Sequence, residues 1–115
     1  MDIEGKIDSI IGKDTVIKGD LKSNGSVKVD GAVEGNLAIK EGAIIGRGAL
    51  IKGHVSCKAA IIGGKIEGNI EAQELLEFQT GAEMFGDIIC KGLVIQQGVF
   101  FEGNCRMTQK TKEKQ

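Results

Sequence analysis

A three-residue landmark, Gly followed by Asp, Asn or His and then an apolar residue, recurs six times and constrains the fold more than any other feature. The copies are Gly19-Asp20-Leu21, Gly35-Asn36-Leu37, Gly53-His54-Val55, Gly68-Asn69-Ile70, Gly86-Asp87-Ile88 and Gly103-Asn104-Cys105. Successive glycines lie 16, 18, 15, 18 and 17 residues apart, about 17 on average. Two residues before each stands another apolar side chain: Ile17, Val33, Ile51, Ile66, Met84 and Phe101. A looser glycine series, Gly12, Gly31, Gly46, Gly63, Gly81 and Gly98, follows stretches such as Val27-Lys28-Val29, Ile44-Ile45 and Leu93-Val94-Ile95. Each unit thus holds at least two short segments rich in β-branched residues, which suit a pleated surface. No long helix-period pattern interrupts them.

A unit of this length is too short for a helix pair or a propeller blade, which take roughly 34 to 50 residues. It fits one winding of a parallel β-helix, stacked on the next at about 4.8 Å. The predicted fold is therefore all-β, a parallel β-helix solenoid of about six windings over residues 10–107. Such a stack is roughly 29 Å long. Residues 1–9 and 108–115 are expected as short flexible tails, the second polar and containing Lys110, Lys112 and Lys114.

Side chains alternate along a strand, so the positions two before and two after each landmark glycine share one face, the expected core. They are apolar in every copy. The position just before each glycine should face water, and it reads Lys18, Glu34, Lys52, Glu67, Phe85, Glu102. Stacked windings would set opposite charges over one another through the first four, at about 0.2–1 kcal/mol each. Phe85 breaks this row. A slip of one residue that turns Phe85 inward and Met84 outward is the favoured expectation. The alternative is an exposed lateral contact at Phe85. The glycines mark corners where a Cβ is excluded, and Asp, Asn or His beside them suits a turn.

Composition removes several classes. The 115 residues suit one small domain, and 41% hydrophobic with 27% charged residues is enough for a real core. The formal charge is −1, with no Trp and no Tyr. No nucleic-acid partner is expected from such a chain, which has neither a basic footprint nor base-stacking aromatics. No apolar run approaches the roughly 20 residues that cross a bilayer, and no leader pattern of a signal peptide is read. Cys57, Cys90 and Cys105 are an odd count without metal spacing. They are expected as reduced thiols in a cytoplasmic protein, with a cross-link between two molecules as the lesser option.

No catalytic, cofactor or metal site is expected. His54, the single histidine, occupies the place held by Asp20, Asn36, Asn69, Asp87 and Asn104 in the other units, which is a turn position. Hexapeptide-repeat acyltransferases, which use a His base on a similar coil, are the enzyme rival, but the strict six-residue period is missing. A zinc site on such a fold needs several His ligands. The segment from Gly42 to Gly48 lacks the lysine and following helix of a phosphate loop, so no nucleotide is expected.

A solenoid has two open ends with unpaired backbone groups and an apolar interior. Soluble solenoids normally blunt them with polar caps. Here Val99, Phe100 and Phe101 crowd the C-terminal edge. Phe101 either plugs the core or packs on the same end of a second molecule, where burying one Phe is worth about 1.5–3 kcal/mol. Contacts at both ends would generate a filament. Near the start, Ile3, Ile7, Ile10 and Ile11 have the spacing of a small amphipathic helix that could rest on a membrane. Ile10-Ile11-Gly12 also repeats Ile44-Ile45-Gly46, so strand is favoured for Ile10 and Ile11, leaving Ile3 and Ile7 as the candidate membrane contact.

These residues resemble the bactofilin family from Ile10 to Met107. The resemblance rests on Ile10 to Leu21 (IIGKDTVIKGDL), on Val29 to Leu37 (VDGAVEGNL) and on Gly98 to Cys105 (GVFFEGNC). It implies a right-handed β-helix with flexible tails. It further implies bacterial cytoskeletal filaments that form without nucleotide by stacking like end on like. The family serves as a scaffold in cell shape and envelope organisation, often at the inner membrane. Its polymerisation contact includes a Phe of the terminal coil, matched here by Phe101 or its neighbour Phe100. The end contacts are accordingly assigned to Val99, Phe100 and Phe101 and, at the other tip, to Val16 and Ile17. Residues 1–9 are shorter than the Pro-containing tails common in the family. The expected partners are further copies of the chain, then the inner membrane and cell-wall enzymes or other envelope proteins. A small trimeric acyltransferase and a β-helical adaptor using Phe85 are the competing readings.

Overall fold

The computed structural model describes residues 7–107. Among these the chain forms fourteen strands and no helix. The first winding holds β1 (Ile7–Ile11), β2 (Val16–Lys18) and β3 (Leu21–Ser23), and the second β4 (Ser26–Val29), β5 (Ala32–Glu34) and β6 (Leu37–Ile39). From the third winding on, the last two strands fuse: β7 (Gly42–Ile45) and β8 (Leu50–Cys57), β9 (Ala59–Ile62) and β10 (Lys65–Ala72), β11 (Leu75–Phe78) and β12 (Glu83–Cys90), β13 (Gly92–Ile95) and β14 (Phe100–Met107). This is the six-winding parallel solenoid that the spacing predicts.

Every pairing is parallel and joins one winding to the next. One sheet runs β1-β4-β7-β9-β11-β13 and the other β14-β12-β10-β8-β5-β2, with β3 and β6 beside it. β1 starts at Ile7, where it pairs with Ser26 and then shifts register before Ser9 meets Val27. The ladder therefore begins within residues 1–9. Ile3 lies outside the described residues, and so does the side chain of Ile7.

The second sheet bends at the landmark glycines, whose φ values run from 128° at Gly19 to 149° at Gly35. Stacking explains why no other residue fits. A Cβ on Gly53 would collide with the carbonyl oxygen of Gly35, and one on Gly68 with that of Gly53. Each winding thus seats its turn against the bare backbone of the winding before.

The core is a single column running through the stack. Val33, Ile51, Ile66 and Met84, two before the glycines, are completely buried. Leu37, Val55, Ile70 and Ile88, two after, are nearly so. The first sheet adds Val27 and Val29, Ala43 and Ile45, Ala60 and Ile62, and Leu76 and Phe78, two per winding. Cys57 and Cys90 also point in, and burial pushes their thiols up to about 12 and about 11.

Two expectations are corrected. No slip occurs at Phe85: β10 and β12 stay in register, Ile66 beside Met84 and Glu67 beside Phe85. Met84 fills the core and Phe85 faces out. Register is set by the whole strand, and a slip would have turned Met84, Ile88 and Cys90 outward together. The charge row does stack as Lys18, Glu34, Lys52, Glu67. However, its members are not ion-paired with one another; Glu67 binds Lys65 of its own strand at 3.3 Å instead. In an exposed row, a same-strand partner on the same face competes evenly with one in the next winding.

Candidate assembly interface

The inward columns run through every winding but end bared at the sixth. Phe78 is fully buried, while Ile95, directly paired with it, is 45% exposed. Cys90 is fully buried, while its partner Met107 is 46% exposed. Cys105 continues the column of Ile88 and is exposed. Leu93, Val99 and Phe101 are partly buried against the core. Together these six residues floor a C-terminal tip that is apolar across its inward positions. Strands β13 and β14 each have a neighbour on one side only among the described residues, which leaves a row of backbone groups facing along the stack axis.

The N-terminal tip is more mixed. Ile17 and Leu21 pack partly buried against the core, and the same columns carry Ser9 and Ser23. Val16 points away from the core at 60% exposure, as alternation with Ile17 requires.

The residues assigned to the end contacts therefore divide. Val99, Phe101 and Ile17 lie on the tips. Phe100 and Val16 lie on the outer side of the second sheet. Phe100 stands beside Phe85, ring centroids 5.4 Å apart at 43°, and Lys65 places its Nζ 5.3 Å from the Phe85 centroid. This makes an aromatic edge on the flank, close to the tip yet separate from it. Reading the sequence missed Leu93, Ile95, Cys105 and Met107 as tip residues. The signal was present: each repeats an inward position of an earlier winding.

His54 sits where the turn ladder runs. Its neighbours in register are Asn69 and then Asp87. The same column links Asn36 N–H to Asp20 Oδ1 at 3.1 Å and Asn104 Nδ2 to Asp87 Oδ1 at 3.3 Å. His54 Nε2 lies 3.9 Å from Glu71 Oε1, with both side chains about half exposed. This is a surface position in a polar ladder.

Compared with known proteins, the chain matches the family model of the bactofilins, described as polymer-forming and cytoskeletal, over residues 9–106. No curated protein matches it in sequence. Among solved structures it is similar to the Thermus thermophilus bactofilin in a cryo-EM reconstruction of double helical filaments. The identity is 22%, the TM-score 0.81, and 84% of this chain and 96% of that one are covered. It is also similar to the crystal structure of a Phe-to-Arg variant of the same Thermus protein, at 22% identity and TM-score 0.73, covering 76% and 98%. The model match spans nearly all of the winding stack, so this chain belongs to the bactofilins, the polymer-forming cytoskeletal family.

Proposed function

We propose that this bactofilin assembles end to end through the bared tips of its stack, like on like and without nucleotide. The resulting filaments act as a cytoplasmic scaffold for cell shape and envelope organisation. The carrying observation is the contrast within single columns: Phe78 and Cys90 are sealed, while Ile95 and Met107 above them are about half bared. A second tip laid on the first would complete that burial. Finishing each half-bared side chain contributes on the order of 1 kcal/mol, and each backbone hydrogen bond gained on β13 and β14 adds about 0.5–1.5 kcal/mol. A like-with-like contact is isologous and closes at a pair, so a filament needs C-terminal and N-terminal junctions in alternation. The filaments of the Thermus relative support this reading.

The first partner is therefore the chain itself. The inner membrane and cell-wall enzymes are its proposed clients, with the Phe85 and Phe100 edge as a side-on adaptor surface. The acyltransferase reading has less support, because His54 takes the place in a polar turn ladder that Asn69 and Asp87 hold in the next windings.

Purified protein should form threads under negative-stain microscopy without ATP or GTP. Phe101→Arg sets a charge in the tip contact and should leave folded single particles with an unchanged far-UV spectrum. Threads that persist in the variant would remove the C-terminal tip from the contact.

A further inference from the structure

The outer side of the first sheet carries one outward residue per winding at its centre. In order these are Ile10, Lys28, Ile44, Ile61, Glu77 and Val94, each directly above the last in the ladder. Their flanking strand neighbours are sealed in the core: Val27 and Val29, Ala43 and Ile45, Ala60 and Ile62, Leu76 and Phe78. Ile10 and Val94 at the two ends are 67% and 43% exposed. Read from either end, the column runs apolar, charged, Ile, Ile, charged, apolar, and the two charges are opposite.

We infer that this column is a self-complementary lateral contact that pairs two copies of the chain side by side and antiparallel. A two-fold axis parallel to the strands, passing between the third and fourth windings, reverses the stack and leaves the column facing itself. It sets Ile10 against Val94, Lys28 against Glu77, and Ile44 against Ile61, each pair occurring twice. A parallel, in-step pairing of the same faces would instead set Lys28 against Lys28 and Glu77 against Glu77, so the charges select the antiparallel arrangement. Gly42 and Ala59, which begin the two central strands, are small, whereas at the other margin the Asp30 carboxylate lies over Gly46 and Gln79 Oε1 comes near Gly63, so the facing isoleucines have small neighbours on one side and polar ones on the other. Lys28 and Glu77 have loose partners at the sheet margin, Asp30 at 3.9 Å and Gln96 at 3.3 Å. Both can turn to an opposing charge without leaving a buried group unpaired.

Scale decides when such pairing occurs. Strands about 13 Å wide stacked over roughly 29 Å give a footprint near 400 Å² per copy. A standard specific interface takes about 800 Å² from each partner. One copy is therefore too small to pair stably, whereas a filament repeats the contact along its length and gains by multivalency. The inference thus rests on end-to-end assembly and adds the face by which two such filaments lie together.

The test is a charge exchange read by electron microscopy of threads at low salt. Wild type should show paired strands. Lys28→Glu and Glu77→Lys should each give single strands, and the double exchange Lys28→Glu with Glu77→Lys should restore pairing. Wild-type threads that are single, or pairing that survives both single exchanges, would overturn the lateral face while leaving end stacking intact. Absence of any threads would overturn end stacking and the pairing that depends on it. Loss of pairing in Phe85→Ser but in neither exchange would move the contact to the aromatic edge. Single threads that bind anionic vesicles only while Ile44 and Ile61 are intact would assign the face to lipid instead.

Discussion

Met84 and Phe101 occupy the same inward column one winding apart and pair directly in the parallel ladder, yet Met84 is sealed and Phe101 is only partly covered. The same chemical position thus serves packing in the fifth winding and remains available for contact in the sixth. The two residues should separate stability from assembly.

Met84→Ala is expected to cost about 2–5 kcal/mol, because the cavity it leaves is walled by windings on both sides. Phe101→Ala, at an open tip, should cost less stability and remove assembly. Urea unfolding combined with sedimentation checks both. Equal losses of stability in the two variants would contradict the division.

The glycine column makes a sharper contrast. Gly53 has a φ of 145°, and its added Cβ would meet the Gly35 carbonyl oxygen. Gly53→Ala should therefore destabilise by at least about 1–3 kcal/mol, since backbone strain and collision act together. Gly48 has open space around its Cβ position and no strained φ. Gly48→Ala should be neutral or stabilise by up to about 1 kcal/mol. Thermal unfolding of the two variants reads the difference.

Buried thiols set an alkaline limit. Cys57 is raised from the ordinary 9.0 to about 12 because burial disfavours its thiolate. Below pH 9 both folded and unfolded chains hold this proton, so the thiol leaves stability unchanged there. Between pH 9 and about 12 the unfolded chain releases the proton first, and stability falls by up to about 1.4 kcal/mol per pH unit from this group. Urea unfolding from pH 8 to 10.5 should therefore show a shallower decline in Cys57→Ala than in wild type. Identical slopes would contradict the assignment.

Much of this architecture was legible in the residues. Gly53-His54-Val55 and its relatives mark the bend, and alternation around them correctly sends Ile51 and Val55 inward, because strand geometry has period two. Phe85 defeated the reading since hydrophobicity alone argues inward, whereas the register shared with Glu67 holds it outward. The charges of Lys52 and Glu67 stack as expected, but which partner a flexible side chain takes is a matter of rotamers, and Lys65 won. Ile95 and Met107 look like ordinary core residues in sequence. Their role follows from lying in the last described winding, a fact of position and not of composition.

The most direct measurement is alkylation of Cys105 before and after assembly. Cys105 is exposed on the C-terminal tip, whereas Cys57 and Cys90 are buried. In the unassembled protein one thiol, Cys105, should react rapidly at pH 8 while the other two lag. In threads the Cys105 rate should fall at least tenfold, because a second tip covers it. Threads in which Cys105 reacts as fast as in single molecules would contradict assembly through this tip.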